Sequence, residues 1–277
     1  MDVITRRSYR GPIRLVVFDW AGTTVDHGCI APVAAFVETF KRRGVEIGLA
    51  EARAPMGLAK QDHIAAIAKQ PGVAERWLAA QGRPCTETDV ADMYERDFMK
   101  LQVACVADHA KLIGGLTDCV ADLKQRGIKI GSSSGYFTEA MAIVLDRAKR
   151  QGYEPDATFC TGDVPAGRPE PWMMYANMRV TRTFPPEAVV KVGDTVPDIG
   201  EGLNAGAWTV GVTRTGNELG LSEDETDRLA PDDLAARITR ADETLRHAGA
   251  HFVVESVREV PLILDRIEDQ LRAGERP

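Results

Sequence analysis

The chain has 277 residues, and at 44% hydrophobic and 27% charged its composition is that of an ordinary soluble globular protein, long enough for one large domain with a smaller one inserted. A formal net charge of -7 argues against nucleic acid or an anionic membrane as partner, but not against a small anionic substrate in a locally positive site. The five cysteines (Cys29, Cys85, Cys105, Cys119, Cys160) are odd in number and no pair has CxxC spacing, so a reducing cytoplasm is expected rather than a disulfide framework. The opening MDVITRRSYRGP holds no apolar run for a signal peptide, and no stretch approaches the roughly 18 apolar residues of a membrane span.

In chain order, residues 13–18 read as a buried strand that ends at Asp19 and a turn. From His27 to Ala110 the pattern is helical only. Val33, Phe36, Val37 and Phe40 recur at helical spacing, as do Ile64, Ile67 and Ala68, and then Val90, Met93, Tyr94, Phe98 and Leu101. The helical stretch GGLTDCVADLKQRG leads to a strand at 128–130, and a weaker strand follows at 157–160. Strands at 188–192 and 208–212 complete the set, and EVPLILDRIEDQLRAG closes the chain as a helix. Continuous Val/Ile runs alternating with helices predict an α/β fold, a doubly wound and mostly parallel sheet. The expected division is a catalytic core domain of residues 1–26 and 111–277, with an all-helical domain of residues 27–110 inserted after the first strand.

Ligands of open α/β sheets bind at the carboxyl ends of the strands. Three groups fall there: Asp19; Ser132, Ser133, Ser134 and Gly135; and Gly193, Asp194, Thr195 and Asp198. An acid, a hydroxyl with loop N–H groups, and further acids on one rim suit a hard divalent cation together with a phosphoryl group. Singly, Asp19 or Asp194 is as readily a turn or N-cap residue. Both together, each after a Val-rich strand, favour the site. The glycines of GEGLNAG, residues 200–206, lie inside an apparent helix instead of straight after a strand, so they read as close packing and not as a dinucleotide fingerprint.

In PMGLAKQDH a helix opened by Pro55 would put Met56, Lys60 and His63 at i, i+4 and i+7 on one face. A lysine desolvated there would hold its proton weakly and act as a nucleophile toward carbonyls. A solvated surface lysine is the plain alternative, and spacing alone does not decide. Arg168, between Gly167 and Pro169 just before a helix, is either a phosphate clamp or an ordinary surface arginine.

Taken in order, FDWAGTTVD, PMGLAKQDH, GSSSGY, DVPAGRPEPWM and KVGDTVPDIGEG resemble the phosphonoacetaldehyde hydrolase family (phosphonatases) of the haloacid dehalogenase superfamily, from about residue 13 to 260. The resemblance implies Mg²⁺-dependent hydrolysis of the P–C bond of phosphonoacetaldehyde to acetaldehyde and phosphate, in phosphonate degradation. It implies Asp19 as the nucleophile that takes the phosphoryl group and Lys60 as the Schiff-base lysine. One Mg²⁺ per subunit would be held by Asp19, the backbone carbonyl of Ala21, and Asp194. Ser134 and Gly135 would bind phosphoryl oxygens, with Arg168 in the role a lysine has in most of the superfamily. Met56, His63, Tyr136, Cys29 and Asp198 would surround these groups. A homodimer through the helical cap domains is also implied. Ser134 stands where a threonine is more usual and keeps the hydroxyl.

Superfamily phosphatases carry a second aspartate two residues after the nucleophile, which protonates an oxygen leaving group; here that position is Ala21. In a phosphonate the leaving atom is carbon, and an acid beside it does not stabilise a carbanion. An iminium two bonds from phosphorus does, because it accepts the electrons of the breaking bond. The missing acid at 21 and the lysine at 60 thus fit one chemistry. Two rival readings remain: a phosphomonoester phosphatase or phosphomutase of the same superfamily, against which Ala21 counts, and a non-catalytic metabolite-binding protein, against which the set Asp19, Lys60, Ser134, Arg168 and Asp194 counts.

Overall fold

The computed structural model describes residues 8–277, so residues 1–7 of the expected core segment lie outside the described residues. Strand β1 (Leu15–Phe18) is wholly buried, as a continuous apolar run covered on both faces should be. After it come only helical elements: α1 (Ile30–Lys41), α2 (Leu49–Arg53), α3 (Lys60–Lys69), α4 (Pro71–Gln81), α5 (Glu87–Asp92), a π-helical turn (Met93–Phe98) and α6 (Met99–Val106). The chain leaves and rejoins the sheet side by side, through an isolated antiparallel bridge between Val25 and Leu112. Then follow α7 (Leu116–Gln125), β2 (Lys129–Ser134), α8 (Thr138–Arg150), β3 (Ala157–Cys160), α9 (Trp172–Thr181), β4 (Val189–Gly193), α10 (Val196–Asn204), β5 (Trp208–Val212), α11 (Glu223–Arg228), α12 (Pro231–His247), β6 (Phe252–Val254) and α13 (Val260–Ala273).

The sheet is parallel throughout, in the order β3-β2-β1-β4-β5-β6. Successive strands step outward in one direction from β1 and in the other from β4, so the crevice at the switch point opens between the carboxyl ends of β1 and β4. Phe18 is level with Ser132 on one side and Val192 on the other. This register brings Asp19, the serine run and Asp194 to one rim. Alternate residues of β1 feed opposite layers: Val16 and Phe18 join the large core, and Leu15 and Val17 join a smaller one with Met174, Met178 and Val189. The helices between β1 and α7 share the large core through Phe36, Phe40, Ile64 and Trp77.

Two strands differ from expectation. The second strand runs on to Ser134 because its polar residues are satisfied in place: Ser132 N–H donates to Asn177 Oδ1 (3.2 Å), and Ser132 Oγ donates to Thr158 Oγ1 (2.9 Å). β6 is a sixth strand that was not expected. It is a three-residue edge strand with two half-buried residues, too short to carry a pattern.

Gly202 shows how tightly α10 lies on the sheet. A Cβ there would meet Thr209 Cγ2 at 2.5 Å and Lys191 Cβ at 2.9 Å. Gly→Ala in an open helix interior stabilises by up to about 1 kcal/mol. Here the sign reverses: Gly202→Ala should cost about 1–3 kcal/mol through overpacking. The check is a lower urea midpoint at unchanged slope.

Candidate active site

Asp19 follows β1 directly, and its N–H donates to Val192 O of β4 at 2.9 Å, so the sheet itself sets its position. The turn that follows is tied back by Thr24 Oγ1 donating to Asp19 O (3.0 Å). Asp194, after β4, accepts from Thr23 Oγ1 at Oδ1 (2.8 Å) and from Asn217 N–H at Oδ2 (2.8 Å). Asp198 sits in the first turn of α10 and accepts from Thr195 N–H at 3.2 Å. The carboxylates of Asp19, Asp194 and Asp198 have oxygens that all lie within 4.8 Å of one another.

Arg168 is buried, not a surface arginine, and its guanidinium spans the rim. Nη2 lies 2.6 Å from Asp19 Oδ1, Nη1 2.8 Å from Asp198 Oδ1, and Nε 3.1 Å from Glu201 Oε2. Two further members, Lys191 and Glu201, were not singled out from the sequence. Lys191 Nζ is fully buried within β4, 2.9 Å from Asp198 Oδ1, 3.0 Å from Glu201 Oε2 and 2.7 Å from Ser133 Oγ. Ser133 Oγ in turn donates to Glu201 Oε2 at 2.8 Å. The available signal was a lysine inside the apolar run VVKVG, since a strand buried on both faces can hold a lysine only against acids. Glu201 stands one helical turn after Asp198 and supplies one of them.

Burial raises the pKa of Asp19, against the pull of Arg168. Burial, then the negative charges of Asp19 and Asp198, push Asp194 well above the carboxylate range. Burial also works against ionisation of Asp198, but Arg168 and Lys191 outweigh it and hold that carboxyl below its usual value. Asp19, Asp194, Asp198 and Glu201 are thus four buried carboxylates facing two buried cations, and Asp194 has no ion-pair partner among the described residues. A deficit of two positive charges beside oxygen ligands suits a divalent cation. Cys29 Sγ lies 3.3 Å from Ala21 O and 3.5 Å from Asp194 Oδ2, which places the Ala21 carbonyl on the same edge as Asp194.

Opposite this rim stands Lys60. The helix expected from Pro55 starts only at Lys60, because Gly57 has φ +94° and Ala59 is extended at ψ 141°. Met56 therefore reaches the site from a turn, not from a face shared along one helix, and Met56, Lys60 and His63 are nevertheless all buried. Lys60 Nζ lies 5.3 Å from the Tyr136 ring centre and 5.7 Å from that of Phe36. Burial pulls its pKa down to about 8. His63 stacks on Phe36 with ring centres 3.8 Å apart, and its Nε2 is 2.8 Å from Ala52 O. Burial and the charge on Lys60 hold its pKa well below the usual value, so it is neutral. Asp19, Ala21, Cys29, Met56, Lys60, Ser134, Gly135, Tyr136 and Arg168 line one cavity of about 20 Å³. Of the expected residues, His63, Asp194 and Asp198 stand behind its wall.

Known proteins resemble this chain in sequence and fold. The model of the haloacid dehalogenase-like hydrolase family matches residues 13–206, and that of the HAD-hydrolase-like family matches 165–260. The chain belongs to the haloacid dehalogenase-like hydrolases. It is 50% identical to a phosphonoacetaldehyde hydrolase of Syntrophobacter fumaroxidans over the full length of both proteins. It is also 46% identical to one of Bacillus cereus, over 93% of this chain and 97% of that protein. A crystal structure of a phosphonoacetaldehyde hydrolase-like protein from Oleispira antarctica superposes with a TM-score of 0.97 at 38% identity, covering all of both chains. Within its class the chain belongs to the phosphonoacetaldehyde hydrolase family.

Asp194→Asn removes the buried carboxylate that lacks a cation. With no divalent ion present it should raise stability by about 1 kcal/mol. The parent's raised Asp194 pKa means its native state keeps a proton that the unfolded state releases, so its metal-free stability falls as pH rises through that raised pKa. The variant should lose less over the same range. The parent should gain about 2.7 kcal/mol at a hundredfold excess of Mg²⁺ over its Kd, and the variant almost nothing. Thermal melts with and without Mg²⁺ at two pH values measure all three.

Proposed function

We propose that this chain hydrolyses the P–C bond of phosphonoacetaldehyde, giving acetaldehyde and phosphate. The observation that carries the reading is a buried lysine with a pKa of about 8 in the same small cavity as Asp19, with alanine at position 21 where an oxygen leaving group would need an acid. The names of the relatives support the same substrate.

The residues divide the work as follows. Neutral Lys60 Nζ adds to the aldehyde carbon, and loss of water leaves an iminium. At pH 7 a pKa of about 8 leaves about one Lys60 in ten neutral, against about one in three thousand for an ordinary lysine. Arg168 contacts Asp19 Oδ1 and so fixes one carboxylate oxygen while the other attacks phosphorus in line. The P–C electrons move into the iminium and give an enamine. Protonation at carbon and hydrolysis then release acetaldehyde and free Lys60, and water cleaves the acyl phosphate on Asp19. Ser134 Oγ and the Gly135 N–H, with Arg168, hold the phosphoryl oxygens. A Mg²⁺ ion held by Asp19, the Ala21 carbonyl and Asp194 would supply positive charge to the phosphoryl oxygens. Lys191, Glu201 and Asp198 keep the Arg168 fork in place. Cys29 and Met56 close the cavity wall, and neutral His63 anchors the Lys60 helix on Phe36 and the Ala52 carbonyl.

A cavity of about 20 Å³ holds about one or two waters and no phosphonate. In this reading the helical cap, residues 27–110, lifts for exchange and closes for chemistry. The family likeness further supports one Mg²⁺ per subunit and a homodimer joined through the caps. No helix among the described residues is long and apolar enough to cross a membrane, and a cytoplasmic site of action suits the free cysteines.

The direct test is release of acetaldehyde and phosphate from phosphonoacetaldehyde, with Mg²⁺ and with chelator. Equal, metal-dependent release is expected; phosphate release from p-nitrophenyl phosphate with none from the phosphonate would turn the reading to an ester phosphatase. Lys60→Arg should keep the fold and lose P–C cleavage, whereas near-normal turnover by that variant would remove the imine. Because the neutral amine is the reactive form, kcat/KM should climb with pH and level off above about 8.

A further inference from the structure

We infer that Gly135 and Gly167 form a seat for the loop before Lys60, and that Gly167 is a positioning residue that sets how close the Lys60 amine comes to the phosphoryl site. The inference rests on the reading of Lys60 as the imine-forming residue.

Lys60 is the first residue of α3 and Ala59 is its N-cap. The reach of the amine is therefore set by the loop Gly57–Leu58–Ala59, not by the body of the helix. That loop is pressed on the core at two places. A Cβ at Gly135 would lie 2.8 Å from Leu58 O and 3.3 Å from Gly57 O. A Cβ at Gly167 would lie 3.1 Å from Ala59 Cβ and 3.2 Å from Thr161 Cγ2. Neither glycine has a positive φ, so the backbone at both positions admits alanine, and contact alone calls for glycine. Each glycine is also the direct neighbour of a residue assigned to the phosphoryl group, Ser134 in one case and Arg168 in the other. The two loops that grip phosphorus are thus the two that stop the lysine loop.

The chemistry makes that spacing matter. In phosphonoacetaldehyde the aldehyde carbon is two bonds from phosphorus, and the substrate has little freedom with which to absorb a misplaced amine. The gap between phosphoryl grip and amine must be set by the protein, and backbone contact at glycine is a stiff way to set it. The same seat divides the 20 Å³ catalytic cavity from a larger one of about 480 Å³, which is lined by Ala59, Thr161 and Gly167 and shares Lys60 with it.

The test uses Gly167→Ala, Ala59→Gly and the double variant, each with phosphonoacetaldehyde and sodium borohydride. Hydride from borohydride reduces the iminium carbon and leaves a stable secondary amine on Lys60, read by mass. Gly167→Ala should cut trapping and kcat/KM about tenfold through a shift of a fraction of an ångström. Its melting temperature and its affinity for inorganic phosphate with Mg²⁺ should match the parent. Ala59→Gly alone should behave like the parent, since glycine is a better N-cap than alanine. The double variant should recover to within about threefold, because the nearest Ala59 atom is then its backbone nitrogen at 3.6 Å, an ordinary contact. Parental trapping in Gly167→Ala overturns the inference alone. So does a loss that Ala59→Gly does not restore, which would trace the defect to Thr161 or Arg168 instead of the lysine loop. No adduct in the parent overturns the imine reading, and the inference with it.

Discussion

Four carboxylates are buried at the carboxyl ends of β1 and β4 where two protein cations meet them, and the rest of the rim is arranged around that imbalance. Isolated buried charges are expensive, so each must be paired, neutralised or joined by an ion. Arg168 and Lys191 serve Asp19, Asp198 and Glu201. Asp194 is left with hydrogen-bond donors only and keeps its proton in the absence of a metal. The protein thereby builds a place whose most favourable state requires something from outside it. Hydrophobic strands and helices supply the stability that such a place lacks.

The opposite wall applies the same physics to a base. Burial disfavours the charged form of Lys60, as it does that of Asp194, but for an amine this frees the lone pair instead of retaining a proton. One low-dielectric region therefore favours the neutral amine on one side and gathers carboxylates that could hold a metal ion on the other. The buried face of α3 is kept apolar by Phe36, Ile64 and Ile67, and by a histidine held neutral. After burial, the charge on Lys60 is among the causes that keep His63 neutral, so that neutrality belongs to the electrostatics of the site.

Much of this was legible in the sequence, for local reasons. The Val/Ile runs at β1, β4 and β5 are local signals, as is the 3.6-residue spacing of Val33, Phe36 and Phe40, and each formed the element it pointed to. Asp19, Ser134 and Asp194 lie on one rim because strand ends are also local features. What escaped was tertiary. The pairing of Lys191 with Ser133 spans 58 positions, and no periodicity announces it. β6 is three residues at an edge, shorter than any window that detects a period. The start of α3 was misplaced because proline at 55 opens a helix locally, yet docking on the core holds Ala59 extended and delays the helix by five residues. The glycines at 200 and 202 were read correctly as packing, since they lie inside a helix and not straight after a strand, but Gly206, read the same way, sits just beyond the end of α10 with φ +73° and is a helix-stop glycine.

The π-helical turn at Met93–Phe98 shifts the helical phase between α5 and α6. One extra residue within a helix turns everything beyond it by about 100° relative to what precedes it. Within the turn Phe98 stacks on Phe36 at 4.4 Å, and Tyr94, one turn earlier, meets Phe137 edge-on at 6.2 Å. Lys60 Nζ lies over the rings of Phe36 and Tyr136, and Phe137 is the residue after Tyr136. Tyr94 and Phe98 are four residues apart and would share a face in a regular α-helix as well; what the extra residue turns is α6 relative to α5. The wound-out turn acts as a phase adjuster, so that α5 lies against α3 while α6 lies against α1 and α8.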